Sequence, residues 1–180
     1  MTRLWYNNTI MTRSVPFSIL NSTEYVEIAG IKNIPAKVDT GADSSALWAS
    51  DIKMKKDGRL AFVMFAPDHP LYTGSRITTH QYKAKSVRSS HGDQQVRYQV
   101  ELPITIGGHT FVTNFTLADR SQNHFPVLIG RRTIKRKFLV DVSKSVVKRP
   151  SNVHSARLNK ELKNNPHKFH KKYIERRSLP

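Results

Sequence analysis

The sequence has 180 residues, which is enough for one domain with a tail and too few for two full-sized lobes. It carries 30 Lys and Arg against 13 Asp and Glu, a net charge of +17, and it has no cysteine. A disulfide framework, a thiolate metal site and a cysteine nucleophile are therefore excluded. No run approaches the roughly 20 apolar residues that span a bilayer, and the N-terminus lacks a signal-peptide pattern. We expect a cytoplasmic protein that is not transmembrane.

Short runs of β-branched and aromatic residues fill the span 24–142, and Gly, Pro, Asn and Asp separate them. This pattern predicts strands, and little of it has the period of a helix. The predicted strands cover residues 25–31, 34–38, 46–49, 59–65, 78–87, 96–106, 110–117, 126–129 and 138–142. Glycine-containing turns at 90–93 and 107–108 predict two hairpins, and one short helix is predicted after Gly130. The span is therefore predicted to be a single all-β domain.

Positive charge is concentrated toward the end of the sequence. Residues 143–180 hold eleven Lys and Arg against two Asp and Glu, a net charge of +9, while residues 1–142 have a net charge of +8. The strand pattern ends there, and a weak helical pattern covers only residues 155–164. We interpret 143–180 as a basic tail that is flexible or partly helical. Nucleic acid or another anionic surface is one class of partner for this tail, and a solvated solubility tail is the other interpretation.

The most informative motif surrounds Asp39. A predicted strand leads to Asp39, Thr40 and Gly41 follow at once, and a small-residue segment leads into the next apolar run. A lone Asp-Thr-Gly is most often an ordinary Asx turn. About ninety residues later, however, an apolar strand ends in Gly130 and Arg131 and leads into the predicted helix. The two segments together carry more information than either alone.

Asp-Thr-Gly-Ala-Asp, followed at this distance by an apolar strand ending in Gly-Arg, resembles the retropepsins, the homodimeric aspartic proteases of retroviral type. The span 24–142 is more closely similar to the bacterial retropepsin-like aspartic peptidases often labelled "ATP-dependent zinc protease". The matching phrases lie at residues 36–42, 87–90, 126–132 and 138–142. The resemblance implies a closed or partly open β-barrel of the acid-protease type that acts as a homodimer. Residues 1–23 would then either add a strand at the dimer interface or be disordered.

The resemblance implies that Asp39 is the catalytic residue. Two carboxylates about 3 Å apart share one proton, so one can deprotonate a water while the other protonates the substrate. Since the chain has one Asp-Thr-Gly and is too short for two lobes, Asp39 from each of two subunits would meet on a two-fold axis.

Five further residues acquire supporting roles from the same resemblance. Thr40 would hydrogen-bond across the dimer axis, Gly41 would let the backbone approach the substrate closely, and Ala42 would complete the active-site turn. Asp43 would form a partly buried pair with Arg131 that braces the active-site turn. A contact between Asp43 and the substrate backbone is the alternative role.

Retropepsins cover their site with a flap, and the predicted hairpin before Asp93 lies at a suitable position for one. The flap candidates are Arg88, Ser89, Ser90, His91 and Gly92. Because this hairpin is polar, it favours a polar or acidic substrate over apolar clamping. An exposed hairpin without a function is the alternative.

A metal site or cofactor is not expected. The eight histidines include no His-Glu-x-x-His, and the pair His167 and His170 has no carboxylate ligand near it in the sequence. No Gly-x-x-x-x-Gly-Lys loop is present to bind ATP phosphates. This sequence therefore contains no motif that would account for "zinc" or "ATP-dependent" in the family label.

The leading interpretation is an aspartic endopeptidase that hydrolyses a peptide or protein substrate, with an acidic one left open. One alternative is a binding module on the same fold that recognises a peptide or an acidic tail without turnover. The other is binding of nucleic acid or an anionic surface through the basic tail.

Overall fold

The computed structural model describes residues 17–88, 94–148 and 153–174, and the chain divides into two units, Met1–Val147 and Lys148–Pro180. Most of the described elements are strands, and they all belong to the first unit. They are β1 (Ser18–Asn21), β2 (Thr23–Ile28), β3 (Ile31–Asp39), β4 (Ser45–Met54), β5 (Leu60–Met64), β6 (Arg76–Thr79), β7 (Tyr82–Arg88), β8 (Gln94–Ile106), β9 (His109–Ala118), β10 (Val127–Gly130) and β11 (Phe138–Asp141). The helices are α1 (Arg131–Ile134), α2 (Val153–Asn164) and α3 (Pro166–Tyr173).

Six strands close into a barrel in the order β10-β3-β2-β8-β9-β4, because β4 pairs back with β10. The short strand β10 lies parallel to β3 on one side and antiparallel to β4 on the other. β5 and β6 continue the sheet from β4, and β7 pairs with β8. The predicted all-β, acid-protease-type barrel is thereby confirmed, as is the short helix after Gly130.

The core explains why these segments form strands. Inward positions of β2, β3 and β8 alternate with exposed ones, as period-2 patterning requires. β5 is buried along its whole length, which matches its uninterrupted apolar sequence. The largest fully buried side chains include Phe62, Phe65, Phe115, Ile104 and Ile129. Burial of this apolar surface is the dominant force that holds the barrel together.

β1 lies within residues 1–23, for which the expectation is either a strand at the dimer interface or disorder, and its residues, Ser-Ile-Leu-Asn, do not alternate in a way that marks the bounds of a strand. It pairs in parallel with β11 to form a separate two-stranded sheet, with Ile19 opposite Leu139. Both of these side chains are exposed, by 64% and 56%, while Leu20 and Phe138 are buried against the barrel. This small sheet therefore buries one apolar face and leaves the other open.

The predicted strand 78–87 is wrong as a single element. The chain turns at His80 and Gln81, where the Gln81 amide donates to Thr79 Oγ1 over 2.9 Å. β6, before the turn, pairs with β5, and β7, after it, pairs with β8. No Gly, Pro, Asn or Asp within 78–87 marks this change of partner strand in the sequence.

The two glycines of the β8–β9 turn, Gly107 and Gly108, adopt φ values of +56° and +78°. The hairpin predicted at this turn is confirmed by its register, with Ile106 opposite His109. The other predicted turn, 90–93, falls entirely among residues 89–93, which lie outside the described residues.

The second unit contains two helices joined at Asn165. The Asn165 side chain caps α3 by accepting a hydrogen bond from the Lys168 amide over 2.9 Å, and Pro166 occupies the first turn. Tyr173 packs against Phe169 with ring centroids 4.8 Å apart. No helix within the described ranges is long and apolar enough to cross a membrane.

Residues 144–147, which the sequence analysis assigned to the tail, bind back to the start of β2. Ser22 donates its amide to the Lys144 carbonyl over 2.9 Å, and the buried Thr23 hydroxyl accepts from the Val147 amide over 2.9 Å. The first unit therefore extends a few residues beyond β11.

Replacing Gly107 with alanine should destabilise the barrel more than the same change at Gly108. A Cβ at Gly107 would lie 2.8 Å from Leu20 Cδ2 and 3.2 Å from Phe138 Cε1, whereas a Cβ at Gly108 would meet nothing within 4 Å. Both variants share the strain of a positive φ, about 1 kcal/mol, and Gly107→Ala adds an overpacking cost of about 1–3 kcal/mol. Urea unfolding of both variants measures the difference. Equal losses of stability would contradict the packing of this turn on the β1–β11 sheet.

Candidate active site

Asp39 is the last residue of β3 and lies opposite Gly130, the last residue of β10. Ala36 and Val38 point into the core, so Lys37 and Asp39 share the opposite face of the strand. The Asp39 side chain is 28% exposed. The alternation of β3 thus brings a carboxylate to the end of the barrel strand without burying it.

The turn after β3 binds one oxygen of this carboxylate. Asp39 Oδ1 accepts hydrogen bonds from the backbone amides of Gly41 and Ala42, over 3.1 and 3.3 Å. The Ala42 amide also donates to the Asp39 carbonyl over 3.2 Å. This Asx turn fixes the orientation of the carboxyl plane. Thr40, at the tip, is exposed, and its side chain makes no hydrogen bond within the described part of the chain.

The second oxygen of Asp39 faces Lys37. The ammonium nitrogen of Lys37 lies 3.2 Å from Asp39 Oδ2. Partial burial raises the pKa of Asp39, but the Lys37 ammonium and the amides of Gly41 and Ala42 outweigh it, and the pKa lies below its usual value. The carboxylate is therefore held ionised in a single chain.

A buried polar network holds this turn against β10 and α1. Ser45 Oγ accepts from the Gly130 amide over 3.0 Å and lies 2.8 Å from Thr133 Oγ1. The Arg131 amide donates to the Ala42 carbonyl over 2.8 Å. A Cβ at Gly130 would lie 2.5 Å from the Ser44 carbonyl carbon, so only glycine fits there. Since Ser45 and Thr133 are almost fully buried, loss of either hydroxyl would leave a partner unsatisfied.

Asp43 collects three cations. Arg132 Nε lies 3.0 Å from its Oδ2, Arg131 Nη2 lies 3.3 Å from its Oδ1, and Lys85 Nζ lies 3.6 Å from its Oδ2. The hydrogen bond from Arg132, aided by the other two cations, lowers the pKa of Asp43. Asp43 and Arg131 form the expected ion pair, but it is exposed rather than partly buried. The Asp43 side chain is 40% exposed and that of Arg131 is 63% exposed. Exposed ion pairs contribute little to stability, so Asp43 serves the turn mainly by orienting these cations.

Positive charge surrounds the site from the hairpin of β7 and β8 as well. Lys85 and Arg97 lie directly opposite each other in register, a like-charge pair that is unfavourable unless an anion is near. Arg120 follows β9, and its Nε donates to the Phe125 carbonyl over 3.1 Å. Burial lowers the pKa of Arg120, Arg97 lowers it further, and the Asp39 carboxylate raises it. The Arg120 guanidinium therefore lies within the electrostatic reach of both groups.

A cavity of about 550 Å³ opens beside these cations. It runs between β8 and the end of β9, and Arg97, Tyr98, Leu117 and Ala118 line it together with Ile52 of β4. Asp119 lines the cavity as well, so its mostly apolar walls carry one cationic and one anionic side chain.

Of the flap candidates, only Arg88 lies among the described residues, as the exposed last residue of β7. Ser89, Ser90, His91 and Gly92 lie outside them. The site residues expected from the sequence at 39–43 all lie in one turn, and α1 brings Arg131 to it.

His69 takes a structural position. His69 stacks on Phe65 with ring centroids 4.4 Å apart and accepts from the Leu71 amide at Nδ1 over 3.2 Å. Burial lowers the pKa of His69. Over residues 17–88, 94–148 and 153–174, no group of three or more His, Asp or Glu side chains could hold a metal ion.

Sequence reasoning missed several residues of the site. Residues two apart on a strand share one face, so the sequence of β3 could have predicted that Lys37 lies beside Asp39. Lys85 and Arg97 meet only through the register of β7 and β8, and no local signal marked Ser45 or Thr133. Their contributions depend on tertiary contacts across more than ten residues of chain.

Three comparisons place this geometry among known proteins. A family model described as RimB-like, the retropepsin-like aspartic endopeptidase RimB, matches residues 19–151. The chain is also similar to a solved Legionella pneumophila protein of unknown function, Lpg0085 of the DUF785 group, with a TM-score of 0.55 and 23% identity. That match covers 71% of this chain and 95% of the other, and it shows a shared fold.

Curated relatives carry a different name. A "Probable alpha-L-glutamate ligase" of Shewanella halifaxensis is 31% identical over 121 residues, which is 64% of this chain and 26% of that protein. One from Shewanella pealeana matches to the same extent, and one from Desulfotalea psychrophila is 25% identical over 138 residues, covering 73% and 29%. The chain thus spans about a quarter of the length of these relatives.

Proposed function

Because the chain belongs to the RimB-like family of retropepsin-like aspartic endopeptidases, we propose that it hydrolyses a peptide bond with water activated by two Asp39 carboxylates. The observation that carries this proposal is the turn at Asp39. Backbone amides hold Oδ1, Oδ2 faces Lys37 on a partly exposed side chain, and the carboxylate lies at the end of a barrel strand. An aspartic peptidase needs a carboxylate fixed in this way.

The second carboxylate would come from a second copy of the chain. One Asp-Thr-Gly is present, so the pair requires two subunits related by a two-fold axis. The exposed Thr40 hydroxyl is free to bond across that axis. The open apolar face of the β1–β11 sheet, with Ile19 and Leu139, gives the partner a surface to cover. This sheet connects to the catalytic strand, because the Val38 amide donates to the Ser22 carbonyl over 3.0 Å.

In the dimer the two carboxyl groups share one proton. The ionised Asp39 takes a proton from water while the oxygen of that water bonds to the peptide carbonyl carbon, and the protonated Asp39 donates its proton to the carbonyl oxygen. The C–N bond of the tetrahedral intermediate then breaks as the Asp39 that took the proton from water passes it to the amide nitrogen, and one hydroxyl of the intermediate returns a proton to the other Asp39. The products are a new carboxyl terminus and a new amine. Lys37 opposes this sequence as long as it holds Asp39 Oδ2, because it favours the fully ionised pair.

An acidic peptide fits the charge of this site. Lys37, Lys85, Arg97 and Arg120 surround a single turn, and among the described residues neither Arg97 nor Arg120 has a carboxylate within ion-pair distance. The names of the curated relatives also support an acidic substrate, because a glutamate ligase acts on glutamate. We therefore propose a glutamate-rich peptide as the substrate.

The basic tail supports a second role, the binding of nucleic acid. Within α2 and α3 the one acidic residue, Glu161, is already bound to Lys172 over 2.7 Å and to the Tyr173 hydroxyl over 2.9 Å. Five exposed cations remain on the pair of helices: Arg157, Lys160, Lys163, Lys168 and Lys171. A surface of this density is suited to the phosphates of an RNA strand.

Asp39→Asn should abolish peptide cleavage while leaving the fold intact. Loss of the general base and acid lowers kcat by roughly 10²–10⁴-fold. Cleavage of a fluorogenic Glu-rich peptide measures this, and the isosteric change Asp57→Asn, on an exposed loop that pairs with Arg59, is the matched control. Full activity in Asp39→Asn would refute the proposed mechanism. Binding of the peptide by the unaltered chain with no cleavage would favour a non-catalytic binding module.

Neutralising three tail lysines should weaken binding of single-stranded RNA. Converting Lys160, Lys163 and Lys168 to glutamine removes up to three phosphate contacts, so the slope of log K against log salt should fall by about 2. The matched control changes three exposed lysines of the first unit to glutamine: Lys32, Lys55 and Lys56. Fluorescence anisotropy over a salt series measures both variants. If the two triple variants weaken RNA binding equally, the tail has no specific role in that binding.

A further inference from the structure

The ion pair between Lys37 and Asp39 conflicts with the proton transfer that the proposed mechanism requires. Asp39 Oδ1 is already bound by Gly41 and Ala42, so Oδ2 is the oxygen left to take part in proton transfer. Lys37 Nζ lies 3.2 Å from that oxygen. An ammonium group there favours ionisation of both members of an Asp39 pair, and a doubly ionised pair has no proton to donate.

The ion pair is well placed to open. The Lys37 and Asp39 side chains are 41% and 28% exposed, and partly solvated pairs of this kind exchange partners readily. Lys37 lies on the middle of three neighbouring strands, opposite Thr23 of β2 and Leu128 of β10, and neither carries a carboxylate. Among the described residues, Asp39 is its only ion-pair partner.

Other carboxylates near the site are already engaged. Asp43 binds Arg131, Arg132 and Lys85. Glu24, on the strand beside β3, accepts hydrogen bonds from the amide and side chain of Asn21 through Oε1. Asp119, which lines the adjacent cavity, accepts a hydrogen bond from the Ser121 amide over 2.9 Å. A carboxylate that displaces Asp39 from Lys37 must therefore arrive with a ligand.

The cations around Lys37 favour the binding of a ligand that carries a carboxylate. Arg120 is oriented by its bond to the Phe125 carbonyl, and it lies within electrostatic reach of both Asp39 and Arg97. Arg97 lines the adjacent cavity and is opposed by Lys85 in register. This excess of cations attracts an anionic side chain to the neighbourhood of Lys37.

We propose that Lys37 is the specificity-determining residue of this site: it exchanges the Asp39 carboxylate for a Glu or Asp side chain adjoining the scissile bond, and so frees the Asp39 pair to hold its shared proton. The inference rests on the proposed peptidase function and adds a residue and a mode of selection to it. An acidic substrate would contribute to its own cleavage, because its carboxylate removes the cation that opposes the catalytic protonation state. A neutral substrate would leave Lys37 on Asp39.

The test compares two peptides that differ only in Glu or Gln beside the scissile bond. The unaltered dimer should cleave the Glu peptide with a kcat/KM at least about tenfold above that for the Gln peptide. Lys37→Leu should bring this ratio close to one, while Lys37→Arg should keep it. Lys32→Leu, an exposed position on the same strand, is the matched control and should leave the ratio unchanged.

The pH profile gives a second measurement that a merely structural role would not move. The charged groups around Asp39 are Lys37 on β3, Arg97 on β8, Arg120 after β9 and, through Asp43, Lys85 on β7 with Arg131 and Arg132 on α1. Lys37→Leu removes the nearest of these cations, so the pKa of the Asp39 pair rises and the pH–rate profile on the Gln peptide moves to higher pH. An unchanged Glu-to-Gln ratio together with an unchanged profile would overturn the proposal.

Binding of uncleavable peptides separates this inference from the peptidase function. Reduced-amide versions of the Glu and Gln peptides should bind the unaltered chain with different affinities, and Lys37→Leu should lose that difference. Loss of the preference in a chain that cleaves neither natural peptide would refute the peptidase function and retain Lys37 as the selecting residue. Equal affinities for the two peptides in the unaltered chain would overturn the selection itself.

Discussion

Strand β10 passes between β3 and β4, and this one arrangement closes the barrel and positions the Asp39 turn. Its last residue, Gly130, lies opposite Asp39 and packs so tightly on Ser44 that no side chain fits. The Gly130 amide binds Ser45 Oγ, which ties the far side of the turn to the same strand. The Asp39 turn is therefore held from both ends by four residues that lie about ninety positions away in the chain.

The second feature of the site is its excess of positive charge. Cations gather around Asp39 and Asp43, although exposed like charges repel one another and contribute little to folding. Lys85 opposite Arg97 is the clearest instance, because neither burial nor strand pairing calls for that arrangement. Such a cluster is a common sign of a binding site, where stability is given up for recognition. Asp43 pairs with Lys85 and relieves part of this repulsion, whereas Arg97 has no carboxylate within ion-pair distance among the described residues. In our account an acidic substrate supplies the anion for Arg97.

The sequence predicted the barrel well because its strands alternate or are uniformly apolar, as in β3 and β5, and because Asp39 and Gly130 belong to two separate recognisable segments. It failed where local pattern carries no information. The residues of β1, Ser-Ile-Leu-Asn, do not alternate, and the break at His80 is made by a change of partner strand that no Gly, Pro, Asn or Asp within 78–87 marks. The exposure of the Asp43 pair depends on how α1 packs, which no spacing in the sequence encodes.

The central claim, that two Asp39 carboxylates form one site, is tested most directly by a crystal structure of the chain with a reduced-amide acidic peptide. Our account predicts a two-fold dimer whose Asp39 carboxyl groups lie about 3 Å apart, close enough to share a proton, with Lys37 turned toward the carboxylate of the peptide. A monomer bound to the peptide, or a dimer whose Asp39 side chains are too far apart to share one water, would contradict it.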